Sequence, residues 1–309
     1  MAKLIILCGL PGSGKSSYAA NYKAVDDAIC TDFTVIHSSD AIRQELFGNA
    51  GSQEDNGRVF ELMRKRTQED LKAGKTVIYD ATNITRKARK SAIACAHPTR
   101  DTIECHVIWA EPEECVRRDS LRERKVGPTV IDKMLRRWQS PWLDEGFDKI
   151  VLHLNQRDFD QIKYVADSAS KMHIPHDNPH HQLGVWEHCQ HAYHDIVTKY
   201  ENNKSIDFDS LAGASMWHDI GKPYTKFFKP GETIAHYYDH HCVGGYLVYG
   251  LYLLPYRFMS DTEMSTVCFI SWLVANHMEG FFNSKYYKQL NPQWKWYLDV
   301  LHEADVNAH

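Results

Sequence analysis

The chain has 309 residues, 43% hydrophobic and 25% charged, with a formal net charge of −4. That is ordinary globular composition, long enough for two domains with separate cores. The mild acidity excludes a generic nucleic-acid coat while leaving room for a local basic groove.

In chain order, β-branched runs at 3–8, 34–37, 76–79, 102–109 and 149–153 alternate with amphipathic stretches. This pattern predicts a parallel sheet covered by helices on both faces, an α/β domain. The apolar start at 4–7 is interrupted by Gly9, Pro11 and Gly12, too soon for a signal peptide or a membrane span. After residue 165 no strand series recurs, 24 of the 36 aromatic residues lie there, and an all-α domain is expected. The apolar run 246–256 holds Gly250, Pro255 and four tyrosines and reads as buried helix. Between the two parts, Ser168, Ser170, Pro175, Asp177, Asn178 and Pro179 make a polar, breaker-rich segment. Domains are therefore expected at 1–165 and 179–309, with a linker at 166–178. Eight cysteines with no C-x-x-C pair argue against a disulfide scaffold or a zinc ribbon, and point to a reduced, cytoplasmic protein without a membrane partner. Histidine divides unevenly: of 18, four lie up to residue 165 and 14 beyond it.

The first chemical motif is Gly9-Leu10-Pro11-Gly12-Ser13-Gly14-Lys15-Ser16, a G-x-x-x-x-G-K-S loop between a strand and a helical run. Its glycines let backbone N–H groups converge on phosphate oxygens, Lys15 supplies a charge to the transferred group, and Ser16 can hold Mg²⁺. ATP or another nucleoside triphosphate with Mg²⁺ is the implied cofactor. Next, Asp40 and Arg43 stand at i and i+3 on one helix face. One could accept a hydroxyl proton while the other grips phosphate, although an Asp at such a junction is also a common helix N-cap. Asp80, Thr82 and Asn83 then follow a strand, at the end where ligands collect in open parallel sheets; an Asx-turn capping the next helix is the plainer reading of Thr82 and Asn83. Residues 117–137 carry eight basic side chains against three acidic ones, as an arginine-bearing lid over phosphate would.

Together these pieces resemble phage-type polynucleotide 5′-kinases over about residues 1–155, through the Gly-Leu-Pro-Gly-Ser-Gly-Lys-Ser loop, Asp40 with Arg43, Asp80-Ala81-Thr82-Asn83, and Arg118-Asp119-Ser120-Leu121-Arg122. The resemblance implies Lys15 and Ser16 for ATP and Mg²⁺, Asp40 as base toward a 5′-hydroxyl, Arg43 on substrate phosphate and Arg122 on the donor. Arg124 and Lys125 compete with Arg122 for the lid role. Small-molecule P-loop kinases share the first and third motifs.

In the second part the clearest element is Trp217-His218-Asp219-Ile220-Gly221-Lys222-Pro223, where Gly221 and Pro223 end a helix beside adjacent metal-capable side chains. With His188 upstream and His240, His277 and Asp305 downstream, the order is H…HD…H…H…D. This series resembles the HD phosphohydrolase superfamily over about residues 178–309, and is close in wording to HD domains associated with tRNA nucleotidyltransferases. The resemblance implies that His188, His218, Asp219 and Asp305 hold one metal. His240 and His277 would hold a second, with Asp219 as the bridge. Such nitrogen-plus-oxygen donors suit Mn²⁺, Fe²⁺, Co²⁺, Ni²⁺ or Zn²⁺, and metal-activated water attacking phosphorus is the implied chemistry. Lys222 is a candidate phosphate contact. His191 and His194 are expected to be solvated or supporting, His180, His181, His236 and His241 only flank the series, and His240 competes with His241 for one ligand position.

The pairing resembles end-healing enzymes in which a polynucleotide kinase is joined to an HD domain. It implies 5′-hydroxyl phosphorylation together with 3′-phosphatase or 2′,3′-cyclic phosphodiesterase activity on RNA or DNA ends, ahead of a ligase. The alternatives are a small-molecule kinase fused to an HD nucleotidase, and a regulatory HD domain that binds without turnover.

Overall fold

The computed structural model describes residues 2–29, 34–97, 99, 101–179, 182–253 and 259–308. Cys30, His180, His181 and the end of the apolar run at 254–256 lie outside them. The chain divides into two compact units, one of Met1–Met134 with Pro141–Arg157, the other of Leu135–Ser140 with Asp158–His309.

Unit 1 runs β1 (Lys3–Cys8), α1 (Lys15–Ile29), β2 (Val35–Ser38), α2 (Ser39–Phe47), α3 (Asn56–Lys72), β3 (Thr76–Asp80), α4 (Arg86–Ile93), β4 (Thr102–Trp109), α5 (Pro112–Ser120), α6 (Pro128–Leu135, whose last residue belongs to unit 2) and β5 (Lys149–Leu154). All five expected strands are present within a residue. They form one sheet in the order β2-β3-β1-β4-β5 with every pairing parallel. β1 is central and nearly uniform in burial, which is why its sequence is continuously apolar instead of alternating. Ile5 and Leu7 pack with Ala19 and Ile78 on one face of the sheet. The order reverses around β1, so the loop leaving its carboxyl end opens where ligands bind in folds of this class.

Below that end, Arg89 of α4 is fully buried in a two-pronged pair with Glu145, at 2.9 and 2.6 Å, and donates to the Asn83 carbonyl at 3.1 Å. Removing only the guanidinium strands a buried carboxylate. Arg89→Ala should therefore cost about 3–5 kcal/mol, whereas an apolar replacement of both partners should cost much less. Denaturant unfolding of the two variants checks this.

Unit 2 contains α7 (Gln161–Met172), α8 (Val185–Tyr200), α9 (Phe208–Trp217), α10 (Lys222–Thr225), β6 (Phe227–Phe228), β7 (Ala235–His236), α11 (His240–Tyr252), α12 (Asp261–Asn276), α13 (Glu279–Phe282), α14 (Lys285–Gln289) and α15 (Pro292–Asn307). It is helical, as expected, with one correction: β6 and β7 form a short antiparallel hairpin. Helices α11 and α12 are buried on most of their faces, so they lack a polar stripe and form the centre of the unit. They are tied by the Ser271 hydroxyl donating to the Gly245 carbonyl at 2.6 Å.

Two boundary expectations are corrected. The segment 166–178 is not a linker: Asp160 caps α7, which continues to Met172 and buries Tyr164, Ser168 and Met172 at i, i+4, i+8 on one face. Of its polar residues, Ser170 lies on the exposed side of that helix, Ser168 on the buried side, and Asp177 and Asn178 beyond its end. The basic run 117–137 is likewise not one lid. Leu135–Ser140 belongs to unit 2, where Trp138 is fully buried edge-on against Tyr246 and Arg136 donates to the Tyr224 carbonyl at 3.2 Å. Among the described residues, no helix is long and apolar enough to cross a membrane.

Candidate functional site

In unit 1 the turn from β1 to α1 is built by backbone that only glycine adopts freely. Gly12 has φ +81°, and a Cβ there would lie 2.2 Å from the Cys115 carbonyl oxygen. The Gly9 N–H bonds the Thr82 carbonyl at 3.0 Å, and the Asn155 amide donates to the Ser13 carbonyl at 2.8 Å, bracing the loop from two sides. Lys15 is buried and donates to the Gly9 and Leu10 carbonyls at 3.0 and 2.8 Å. Burial lowers its pKa from the ordinary lysine value, against the opposing charge of Asp80. Asp80 is shifted the other way, upward by burial with Lys15 opposing, and it accepts the Ser16 hydroxyl at 2.9 Å. A hydroxyl and a carboxylate side by side suit the oxygen-seeking Mg²⁺ ion.

These groups line a cavity of about 640 Å³ that also takes in Gly12, Gly14, Asp40, Arg43, Thr82 and Arg122. Asp40 is half exposed, 3.0 Å from Arg43 Nη1 and 2.9 Å from Arg124 Nη1. It is not the cap of α2: that position is Ser38, whose side chain makes no capping bond. Arg43 is buried, held by Asn56 at 2.9 Å and lying over the Phe60 ring. Of the eight basic residues at 117–137, Arg122, Arg124 and Lys125 face the cavity, while Arg117 and Arg118 are taken up by Glu114. The loop carrying the first three is shaped by buried Asp119, which accepts the Val126 and Gly127 N–H groups at 2.9 and 2.8 Å. Asn83 is a correction to the Asx-turn reading: Thr85 caps α4, and the Asn83 amide instead donates to the Leu7 carbonyl at 2.7 Å.

In unit 2 all six residues of the H…HD…H…H…D series converge. His188 stands on α8, His218 and Asp219 follow α9, His240 opens α11, His277 follows α12 and Asp305 lies on α15. His188 Nε2 lies 2.8 Å from Asp305 Oδ1 and 3.2 Å from His218 Nε2; His240 Nε2 lies 3.2 Å from His277 Nε2 and 3.4 Å from Asp219 Oδ1. His188, His218 and Asp305 thus make one ligand-like group, and Asp219, His240 and His277 a second. Asp219 Oδ2 is 3.5 Å from His218 Nε2, so its two oxygens face both groups. Gly221 permits this closeness, since a Cβ there would lie 2.0 Å from the His240 carbonyl oxygen.

The outer nitrogens explain the inward aim. The Nδ1 atoms of His188, His218, His240 and His277 sit 2.6–2.8 Å from the carbonyls of Ala308, Ser215, Tyr237 and Val274. A carbonyl can only accept, so each Nδ1 carries the proton and each Nε2 faces the cluster. Burial pushes the His240 pKa down to about 4, and burial with the His240 and His218 charges holds His277 well below the usual range. Both are neutral imidazoles with lone pairs directed at a common point. Burial works against ionisation of Asp219 and Asp305, but Lys222 and His218 hold the first, and the adjoining His188 and His218 rings the second, well below the usual carboxylate range. The neutral imidazoles of His240 and His277 with the ionised Asp219 suit a borderline divalent transition metal, while at His218 burial is outweighed by the Cys189 and Asp219 charges, which hold its pKa well above the usual histidine range.

His240, not His241, joins His277, while the His241 ring lies edge-on to His240. His191 and His194 are exposed, and His236 pairs with Glu232 at 2.7 Å. Lys222 is buried, 2.5 Å from Asp219 Oδ2 and 3.0 Å from His176 Nε2. His176 and Cys189 were not singled out by their sequence positions. Cys189 Sγ lies 3.8 Å from His218 Nδ1 and makes a third ligand-like group with His218 and Asp219.

Residues 4–141 match a family model described as an AAA domain, in keeping with the P-loop kinase-type α/β fold of unit 1. A curated relative, "Transcription factor bHLH140" of Arabidopsis thaliana, is 26% identical over 182 residues, 55% of this chain and 18% of the relative. The chain thus spans about a fifth of that protein. Three solved structures are similar over about half of this chain. A chain of the "Pnkp1/Rnl/Hen1 complex" is 25% identical, with TM-score 0.34, 52% of this chain and 48% of that chain covered. Kti12 of Chaetomium thermophilum with ADP-AlF3 is 16% identical, with TM-score 0.40, 53% and 95% covered. A gluconokinase of Sinorhizobium meliloti is 18% identical, with TM-score 0.34, 50% and 82% covered.

Proposed function

We propose that the chain heals broken nucleic-acid ends. Unit 1 phosphorylates a 5′-hydroxyl from ATP, and unit 2, an HD-type phosphohydrolase, removes a 3′-phosphate or opens a 2′,3′-cyclic phosphate, leaving ends fit for a ligase. The observation that carries this reading is the presence in one chain of two chemically different side-chain clusters. One is a P-loop cavity with a carboxylate–arginine pair at its acceptor side; the other is a four-histidine, two-aspartate cluster whose every histidine is aimed by a backbone carbonyl.

In unit 1 the Asp40 carboxylate takes the proton of the attacking hydroxyl as its oxygen bonds to the γ-phosphorus and the bond to the β-phosphate oxygen breaks. Arg43, fixed by Asn56, holds the substrate phosphate. Lys15 and Arg122 offset charge on the transferring group, and Ser16 with Asp80 would hold Mg²⁺. In unit 2, His188, His218, Asp219 and Asp305 would hold one transition metal and His240 and His277 a second with Asp219 between them. Such metals, when bound, lower the pKa of water and offset phosphoryl charge. Lys222, anchored by His176 and Asp219, stands ready to meet a phosphate oxygen.

The test uses RNA and DNA oligonucleotides carrying 5′-hydroxyl and 3′-phosphate or cyclic ends, with ATP and a series of divalent metals. Both end modifications are expected from the intact protein. Phosphorylation of a nucleoside or sugar with none on the oligonucleotide would instead favour a small-molecule kinase.

A further inference from the structure

We propose that the aromatic cavity beside the unit 2 cluster is a subsite for the base of the terminal nucleotide, so that the phosphate ester delivered to the cluster belongs to an unpaired nucleotide. This rests on the phosphohydrolase reading of that cluster and names its substrate class.

The cavity measures about 770 Å³, within the range of small-molecule sites. Its lining joins the cluster residues Asp219, His240, His277 and Asp305 to the rings of Phe281, Phe282 and His302. Phe281 and Phe282 are 63% and 62% exposed, a large apolar area to leave in water on adjacent residues. Their rings lie edge to face at 5.3 Å, and His302 stands edge-on to Phe281 at 5.9 Å. The backbone that carries them is closed by a cap. Helix α13 lasts one turn and is closed by Asn283 in the left-handed region at φ +48°, whose N–H reaches the Glu279 and Gly280 carbonyls.

The chemistry of the walls selects the occupant. Inorganic phosphate or a bare sugar phosphate gains nothing from exposed rings lining the same cavity as the cluster. A planar base does, because every base has a face that stacks on an aromatic side chain. A base already paired in a duplex has its edges and faces occupied, so it must be splayed out to enter. The cluster and the aromatic wall therefore read the two ends of one nucleotide.

The test is calorimetric titration in a Lys15→Ala, Arg43→Ala background, which disables the phosphate contacts of unit 1, without added metal so that no turnover competes. The probes are adenosine 3′-monophosphate, β-glycerophosphate and hexyl phosphate. The nucleotide is expected to bind roughly tenfold or more tighter than either of the others. Phe281→Ala with Phe282→Ala should erase the difference, and Phe281→Tyr with Phe282→Tyr should keep it. Equal binding of nucleotide and β-glycerophosphate overturns the proposal, as does a difference that survives the alanine pair. Hexyl phosphate matching the nucleotide would show an apolar subsite and not a base subsite, and also overturns it. Failure of the phosphohydrolase reading looks different: with Mn²⁺ the unaltered protein releases phosphate from no ester, while the base-dependent binding persists.

Discussion

Asp219→Asn is expected to strip bound transition metal from unit 2 and lower phosphate release by about 10³-fold or more, with 5′-phosphorylation unchanged. Asparagine preserves the shape of the side chain, so the loss reads charge and ligation, not a cavity. Both carboxylate oxygens are committed in the structure, Oδ1 at 3.4 Å from His240 and Oδ2 at 3.5 Å from His218, so one substitution weakens both ligand groups. His188→Ala discriminates further. It touches only the group with His218 and Asp305, and should leave metal at the Asp219–His240–His277 group. Metal content by mass spectrometry, read beside phosphate release, separates the two outcomes. Full hydrolysis by Asp219→Asn would remove the cluster from the mechanism.

The second large effect belongs to unit 1. Asp40→Asn should reduce transfer to a 5′-hydroxyl by about 10²–10⁴-fold, the usual contribution of a positioned base, while ATP binding changes little. Lys15→Ala should reduce transfer as well, and weaken nucleotide binding, since Lys15 stands in the loop itself, whereas Asp40 lines the same cavity beside Arg43 and Arg124. Steady-state transfer rates measured beside equilibrium binding of ATP show whether the two residues divide the work in this way. Equal loss of ATP binding in both variants would mean that Asp40 serves nucleotide binding and not the acceptor.

Much of this was readable from the chain alone where the signal is local. The P-loop spans eight consecutive residues because its job is done by backbone N–H groups in one turn, and strand, loop and helix follow one another in sequence. Asp40 and Arg43 share a helix face, so their 3.0 Å contact follows from spacing. The burial of β1 on both faces is visible as an unbroken apolar run. The H…HD…H…H…D series in unit 2 was legible only as an order of residue types.

What the order could not supply is proximity. His188 and Asp305 are 117 positions apart yet 2.8 Å from one another, and that closeness depends on how α8 and α15 pack. The same holds for His176, brought to Lys222 from a stretch that reads as a boundary, and for Asp119, whose role is to accept two N–H groups of the following loop. The passage of Leu135–Ser140 into the core of unit 2 has no local mark either, because a buried tryptophan looks alike in either unit. Sequence by itself determined the residue types, the local turns and the alternation of elements, all set by neighbours along the chain. Only the tertiary structure decided which His240–His241 register faces the cluster, which arginines face the P-loop and where the units divide. Those are settled by packing among side chains distant in sequence.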